Sequence, residues 1–196
     1  MTTDHDSTRD RIREAARAEF AAVGFSGSRV DAIAKRAGCN KQLIYHYFGD
    51  KAGLYEAVIT AALAERPPVQ LGTLEDLADS LEKVYEHHQK KLEWIRLLQW
   101  ESLEADSGNV VAEDQRRAHL NRACGELEKS QPLGWLTAPG DARFFMIAVM
   151  AMMIFPLAFP QMVRLVTGHR PTEPEFKGRY LAVVRGILGA GGKPGA

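Results

Sequence analysis

The sequence predicts an all-α protein of about nine helices, in which an N-terminal three-helix head precedes a larger helical body. Apolar residues recur at the i, i+3, i+4 spacing of a helix face in one segment after another. Nowhere does the chain show the strict polar and apolar alternation that a half-buried strand requires. Glycine or proline follows several of these segments, as is usual where helices end.

The first helix is expected from about Thr8 to Val23, with Gly24 as its stop signal. Ser28 is the expected N-cap of the second helix, and Ser26 is the second choice. The core of the head should then consist of apolar side chains that these segments share with the third helix. They are Phe20, Phe25, Val30, Ile33, Ile44 and Phe48.

A tight turn precedes the third helix. Gly38 suits a left-handed turn because it lacks a Cβ atom, and Asn40 can cap the helix that follows. Two short helices joined in this way are typical of a helix-turn-helix, but an ordinary corner between helices uses the same turn, so spacing alone leaves both open. Asp50 should cap the fourth helix, which must end before Pro67 and Pro68.

The body should contain five further helices, at about residues 74–90, 91–105, 110–130, 141–168 and 173–188. Turns or loops are expected at 107–109 and 131–140, and the Gly-rich segment 189–196 should form a frayed tail. The expected boundaries separate a head at 1–50, a connecting helix at 51–66 and a body at 67–196.

Composition argues against several classes of protein. The 25 basic and 25 acidic residues give a formal net charge of zero, although residues 29–51 carry a net charge of +3 where phosphates would be met. Cys39 and Cys124 lack metal-ligand spacing, and no zinc-protease or nucleophile-elbow motif occurs. We therefore expect no enzyme activity, no metal and no cofactor. The polar N-terminus shows no apolar signal segment, so a cytoplasmic location is expected.

Two runs of the chain resemble the tetracycline-repressor (TetR) family of transcription regulators. They are GCNKQLIYHYFGDKAGLY and, before it, EAARAEFAAVGFSGSRVDAIAKRAG, so that the resemblance covers about Arg9 to Val58. It implies a helix-turn-helix head and a helical body. It also implies a homodimer that binds a palindromic DNA operator, acts as a repressor and is released by a small-molecule effector.

The third helix would then be the recognition helix, with Lys41, Gln42 and Tyr45 opposite Ile44 and Phe48. Lys41 could donate to guanine or phosphate and Gln42 to adenine, while tyrosine hydroxyls suit phosphates. Leu43 could contact a thymine methyl group or belong to the core, and we favour the core. The residues expected at DNA are Ser28, Arg29, Asn40, Lys41, Gln42, Tyr45, Tyr47 and Lys51.

The longest apolar run, Phe144 to Pro160, has 17 residues without a charge. It is short for a membrane span and contains Pro156, so we favour burial within protein and expect no membrane partner. The resemblance implies that the two C-terminal helices pack against those of a second subunit. The expected dimer-interface residues are Phe155, Leu157, Tyr180, Val183, Val184 and Ile187.

Five of the six methionines lie between Met146 and Met162. Methionine fills irregular core gaps but also suits adaptable binding surfaces, so both interpretations stay open. If the run lines an effector pocket, aromatic side chains from the preceding helices could supply further walls. The expected pocket residues are Tyr85, Trp94, Trp100, Met146, Met150 and Met153.

Overall fold

In a computed structural model of the protein, the structure describes residues 4–69, 73–104, 110–130 and 141–191. Within these ranges the chain forms ten α-helices and no strand, which confirms the all-α class. The expected turn at 107–109, the loop at 131–140 and the tail beyond residue 191 lie outside the described residues. In chain order the helices are α1 (Asp4–Gly27), α2 (Val30–Ala37), α3 (Lys41–Phe48), α4 (Lys51–Ala64), α5 (Leu74–Lys90), α6 (Leu92–Glu104), α7 (Glu113–Ser130), α8 (Asp141–Ala158), α9 (Pro160–Thr167) and α10 (Pro174–Gly191).

The chain divides into two compact units, each described here by itself. The first comprises residues 1–65 and 93–116, and the second comprises 66–92 and 117–196. In the first unit α1 packs against α2 and α4, and α3 packs against α2 and α4. In the second unit α5 packs against α8 and α10, and α9 follows on α8. The functional division expected at 1–50, 51–66 and 67–196 stays a prediction.

The core of the first unit is aromatic and aliphatic. Phe20, Ile33 and Ile44 are fully buried, as expected, whereas Phe25 is half-buried. The ring of Phe20 meets that of Tyr55 edge-on, with the ring centroids 4.9 Å apart. Such aromatic pairs add to the stabilisation that burial alone provides, so this contact helps to hold α1 against α4.

The end of α1 differs from the expectation. Gly24 has φ 75° and ψ 176°, so it interrupts the helix, yet helical hydrogen bonding resumes and continues to Gly27. The N-cap of α2 is therefore Arg29 and not Ser28. Ser28 is buried, and its hydroxyl donates to the Phe25 carbonyl oxygen at 2.7 Å, which prevents it from capping the next helix.

The apolar run of the second unit forms two helices instead of one, which accounts for the tenth helix. Phe159 has non-helical backbone angles, and Pro160 starts α9 at the first helical position, where proline lacks no needed hydrogen bond. Pro156 lies inside α8 and has no N–H to offer the Met152 carbonyl oxygen. The Tyr180 hydroxyl of α10 donates to that oxygen at 2.7 Å and so satisfies it.

Candidate functional site

The first candidate surface is the outer side of α3, which is fixed at both ends. The amide of Leu43 donates to Asn40 Oδ1 at 2.9 Å, so Asn40 caps the helix as expected. Before it, Gly38 takes the left-handed conformation with φ 64° that the turn requires. After it, Asp50 Oδ1 accepts the amide of Gly53 at 2.8 Å and caps α4, also as expected. The orientation of α3 is thus set by local hydrogen bonds as well as by its one fully buried residue, Ile44.

The outer side of α3 is polar and open to solvent. Lys41, Gln42 and Tyr45 are all exposed, and Leu43 is half-buried. Lys41 Nζ lies 3.4 Å from Asp31 Oδ1 on α2, but both side chains are solvated, so this pair holds Lys41 only weakly. Arg29 and Asn40 are also exposed. The structure therefore brings five of the predicted DNA-contacting residues to solvent around one turn.

The other three predicted residues are engaged within the unit. Lys51 Nζ donates to the Ser28 carbonyl oxygen at 2.8 Å and lies 4.6 Å from the centroid of the Phe25 ring. The hydroxyl of Ser28 is bonded to Phe25, as described above. Tyr47 is half-buried, with its ring 5.3 Å from that of His46. The contacts of Lys51 and Ser28 brace the turn between α1 and α2 against the start of α4.

A further contact in the first unit holds the interrupted end of α1. The carboxylate of Glu104, at the end of α6, accepts the amides of Phe25 at 3.0 Å and of Ser26 at 3.3 Å. Trp100 Nε1 donates to the Ala21 carbonyl oxygen at 3.3 Å. A Cβ atom at Gly24 would stand only 2.2 Å from Glu104 Oε1. Glycine is therefore required there for close approach as well as for its positive φ.

The second candidate site is a cavity of about 370 Å³ within the second unit. Three of the predicted pocket residues, Met146, Met150 and Met153, line it. Tyr85, Trp94 and Trp100 are absent from its lining. Tyr85 is fully buried and donates its hydroxyl to the Pro171 carbonyl oxygen at 3.0 Å, while Trp94 and Trp100 belong to the first unit. The apolar wall comes instead from α5, α7 and α8, chiefly Leu77, Leu81, Val84, Leu120, Leu127, Phe145, Val149 and Ile154.

Sequence reasoning missed the polar part of the cavity wall, which consists of Arg66, His88, His119, Arg122 and Glu126. The pair His87-His88 reads as the polar face of an amphipathic helix. A signal was nevertheless present, because Leu77, Leu81, Val84 and His88 follow one another at helical spacing on the face of α5 that is otherwise apolar.

Both histidines of the cavity wall lie near the positive charge of Arg66. Burial, with the charges of Arg66 and His87 acting in the same direction, lowers the pKa of His88 to about 4. Burial also lowers the pKa of His119, again with Arg66 and with Arg122 as secondary causes. His88 is therefore neutral at physiological pH. Its Nδ1 is buried and forms no hydrogen bond within the part of the chain that the structure describes.

A third surface is the outer side of α8 and α10, which is apolar and exposed. Phe144, Ile147 and Phe155 project from α8, and Val183 and Ile187 project from α10. The other predicted dimer-interface residues turn inward. Leu157 and Val184 are buried in the protomer core, and Tyr180 is half-buried with its hydroxyl bound to α8.

Two other kinds of site were searched for among the described residues. No group of three or more His, Cys, Asp or Glu side chains there could hold a metal ion. One helix, α8, is long and apolar enough to cross a membrane by length and composition, but the core helix of a soluble protein meets the same criteria. Its opposite faces explain the composition, since one lines the cavity and the other is the exposed apolar surface.

Known proteins match both parts of the chain. Residues 12–58 match the model of the bacterial regulatory proteins of the tetR family, and residues 76–185 match that of the tetracyclin repressor-like C-terminal domain. The HTH-type transcriptional repressor SCO4008 of Streptomyces coelicolor is 32% identical over 165 residues, 84% of this chain and 86% of the relative. The HTH-type transcriptional repressor NicS of Pseudomonas putida is 30% identical over 105 residues, half of each chain.

Solved structures agree. The crystal structure of SCO4942 from Streptomyces coelicolor superposes with a TM-score of 0.74 at 25% identity, over 92% of this chain and 97% of that one. The exposed recognition helix, the helical body and these matches lead to one conclusion. The protein belongs to the TetR family and is a transcriptional regulator with a helix-turn-helix for DNA binding.

Proposed function

We propose that the protein is a homodimeric, cytoplasmic repressor that binds a palindromic operator and leaves it when a small molecule occupies the cavity of the second unit. The observation that carries this proposal is the exposure of Lys41, Gln42 and Tyr45 on a helix capped at both ends. Capping fixes the helix before DNA is met, so little ordering has to accompany binding. The family membership supports a groove-reading role for this helix.

The residues at DNA would divide into two roles. Lys41 and Gln42 face outward from the first turn of α3 and would contact base edges in the major groove. Arg29 and Tyr45 would contact phosphates, which fixes the register of the protein without reading sequence. Lys51 and Ser28 would act chiefly by bracing the turn that carries Arg29, Tyr47 would pack within α3, and Asn40 would orient α3.

Two recognition helices would be presented by a two-fold dimer, and the exposed apolar surface of α8 and α10 is the interface that we propose. Phe144, Ile147, Phe155, Val183 and Ile187 are each more than half exposed, whereas the opposite faces of both helices are packed. An exposed apolar surface of this extent is unusual on a monomer and typical of an interaction surface. The two-fold symmetry of such a dimer implies a palindromic operator.

The release step that we propose is a shift between two conformations of the dimer that differ in their affinity for DNA. The cavity would bind the effector more tightly in the conformation that fits DNA poorly, so the affinities for DNA and effector would be reciprocally coupled. Glu65 and Arg66 would transmit this shift, because they are consecutive in the chain and make different contacts. Glu65 forms a two-point ion pair with Arg17 at 2.6 and 3.1 Å in the first unit, and Arg66 lines the cavity of the second.

The test is selection of bound duplexes from a random DNA pool, followed by affinity measurements on the selected sequence at several salt concentrations. We expect a palindrome whose affinity falls steeply as salt rises, because phosphate neutralisation releases counterions. Lys41→Ala and Gln42→Ala should each lower affinity by about tenfold and relax base choice at one position of each half-site. Lys83→Ala, an exposed lysine on α5, is the matched control. A folded protein that selects no sequence at low salt would contradict the proposal.

A further inference from the structure

The wall of the cavity has two chemically distinct parts. The larger part is aliphatic and thioether-rich, with Met146, Met150 and Met153 on α8 facing leucines of α5 and α7. The smaller part carries Arg66, His88, His119, Arg122 and Glu126. At about 370 Å³ the cavity is near the lower end of the roughly 300–1,000 Å³ typical of small-molecule sites. It can therefore enclose one small amphipathic molecule.

The polar part has an excess of positive charge. Arg66 and Arg122 contribute two positive charges, Glu126 contributes one negative charge, and His88 is neutral. Arg66 depresses the pKa of both histidines and Arg122 that of His119, so these groups share one electrostatic environment. A ligand with a single negative charge could be bound at Arg122, which has no ion pair among the described residues.

Three of the polar groups have a charge or a polar atom without a protein partner among the described residues. Among the described residues, Arg122 forms no ion pair, and Glu126 forms none either. His88 is 4% exposed, and its Nδ1 has no hydrogen-bond partner there. A buried polar atom without a partner is costly unless something else satisfies it. A neutral imidazole can donate to an anionic oxygen from one nitrogen, and a guanidinium can donate from several.

We infer that the cavity takes a small monoanionic amphiphile, with its negative group beside Arg122 and His88 and its hydrocarbon body against the cavity-lining methionines Met146, Met150 and Met153 of α8. The inference rests on the proposed function only in calling this molecule the effector. A carboxylate, a sulfonate or another singly charged group would satisfy the same residues. Methionine suits the hydrocarbon part because its flexible, polarisable side chain adapts to ligands of different shape.

The experiment is calorimetric titration of the full-length protein with three probes of equal chain length, namely decanoate, decanol and decylamine. We expect decanoate to bind with one molecule per chain, and decanol to bind about tenfold more weakly because it leaves the excess positive charge unbalanced. Decylamine should give no binding. Equal affinity for decanoate and decanol, or no binding of any probe to the folded protein, would overturn the inference.

Variants locate the negative group. Arg122 is exposed at the cavity wall, so Arg122→Gln should leave the fold intact while weakening decanoate about tenfold and leaving decanol unchanged. Glu126→Gln should tighten decanoate binding. Arg164→Gln is the control, because Arg164 is an exposed arginine of α9 next to the exposed Leu165. If Arg164→Gln weakens decanoate as much as Arg122→Gln does, the probe binds the outer apolar surface and the inference fails.

A separate titration of the protein bound to its selected duplex keeps this inference apart from the proposed function. Decanoate that binds in the expected charge-dependent way but leaves DNA bound would support the cavity chemistry and contradict the effector role. A protein that binds and selects DNA normally but does not bind decanoate would contradict the cavity chemistry and leave the proposed DNA binding intact.

Discussion

In the first unit two largely buried arginines pair with carboxylates of the same unit, whereas in the second unit an arginine and a histidine of the cavity wall lack such partners among the described residues. Arg17 and Glu65 form two hydrogen bonds, as do Arg116 and the carboxylate of Glu101 at 2.7 and 2.9 Å. In the second unit Arg122 has no ion pair among the described residues, and His88 Nδ1 has no hydrogen bond there. Internal pairing fixes side chains, and unused capacity leaves them available to a ligand.

Apolar surface differs between the two units in the same way. The large apolar side chains of the helices α2 to α4 are mostly turned into the core, with Tyr45 the exposed exception on α3. In the second unit, α8, α9 and α10 leave a row of large apolar side chains in solvent. From this comparison we expect the first unit to act as a scaffold for an exposed polar surface, and the second unit to be stabilised by the partner and the ligand that we propose it binds.

The largest expected effect compares a buried and an exposed apolar residue of α10. Val184 is 3% exposed and Ile187 is 55% exposed. Val184→Glu places an unpaired charge in the core and should lower the free energy of unfolding by about 3–5 kcal/mol. Ile187→Glu should leave each chain folded and produce monomers, because its charge falls in the interface that we propose.

Light scattering and urea denaturation monitored by circular dichroism distinguish the two variants. A dimeric Ile187→Glu protein would show that this surface is not the interface. A Val184→Glu protein as stable as the wild type would show that the side chain is not buried as described.

The next largest effect is the dependence of the free energy of unfolding on pH, which tests whether His88 is buried and neutral. The pKa of His88 is about 4 when folded and about 6.5 when unfolded, so the unfolded state takes up the proton first as pH falls. His88 therefore does not lower the free energy of unfolding above pH 6.5, and it lowers that free energy by about 3 kcal/mol by pH 4. His88→Gln, which does not titrate, should lack this component of the loss. Urea midpoints at pH 7, 6, 5 and 4 measure it, and parallel curves for the two proteins would argue against a buried neutral His88.

The smallest expected effect concerns the Tyr180 hydroxyl, which donates to the Met152 carbonyl oxygen of α8. Tyr180→Phe removes the only donor described for the Met152 carbonyl oxygen, which Pro156 cannot serve, and should cost about 1–2 kcal/mol of unfolding free energy. Tyr45→Phe removes a hydroxyl from a side chain that is 44% exposed and should leave stability unchanged. Equal stability of the two variants in urea would contradict the assigned role of Tyr180.

Local signals allowed much of the first unit to be predicted. Asn40, Asp50 and Gly38 act through atoms only a few residues away, so their roles can be read from sequence. Ser28 was wrongly expected to cap α2, because its hydroxyl had a competing acceptor in the Phe25 carbonyl oxygen three residues back. That competition depends on the interruption at Gly24, which Glu104 stabilises from a distant part of the sequence.

The second unit could be predicted only in outline, since its site depends on which helix faces meet. Tyr180 and Val184 lie on one row of α10 and Val183 and Ile187 on the next, so apolar spacing alone could not tell the packed row from the exposed one. Trp100 was expected as an aromatic wall of the pocket, yet its indole N–H donates to the Ala21 carbonyl oxygen in the first unit. The cavity arginines and histidines lie on polar helix faces, and only the fold shows that these faces enclose space.

The hydrogen bond from Tyr180 to Met152 also constrains motion. It joins the middle of α8 to α10 at a point where the backbone of α8 has already lost a hydrogen bond of its own to Pro156. This hydrogen bond lies next to Met153, whose side chain lines the cavity. A ligand that displaced Met153 would also shift the neighbouring Met152 carbonyl oxygen and, through its hydrogen bond, Tyr180 of α10. We therefore expect occupancy of the cavity to change the position of the exposed Val183 and Ile187.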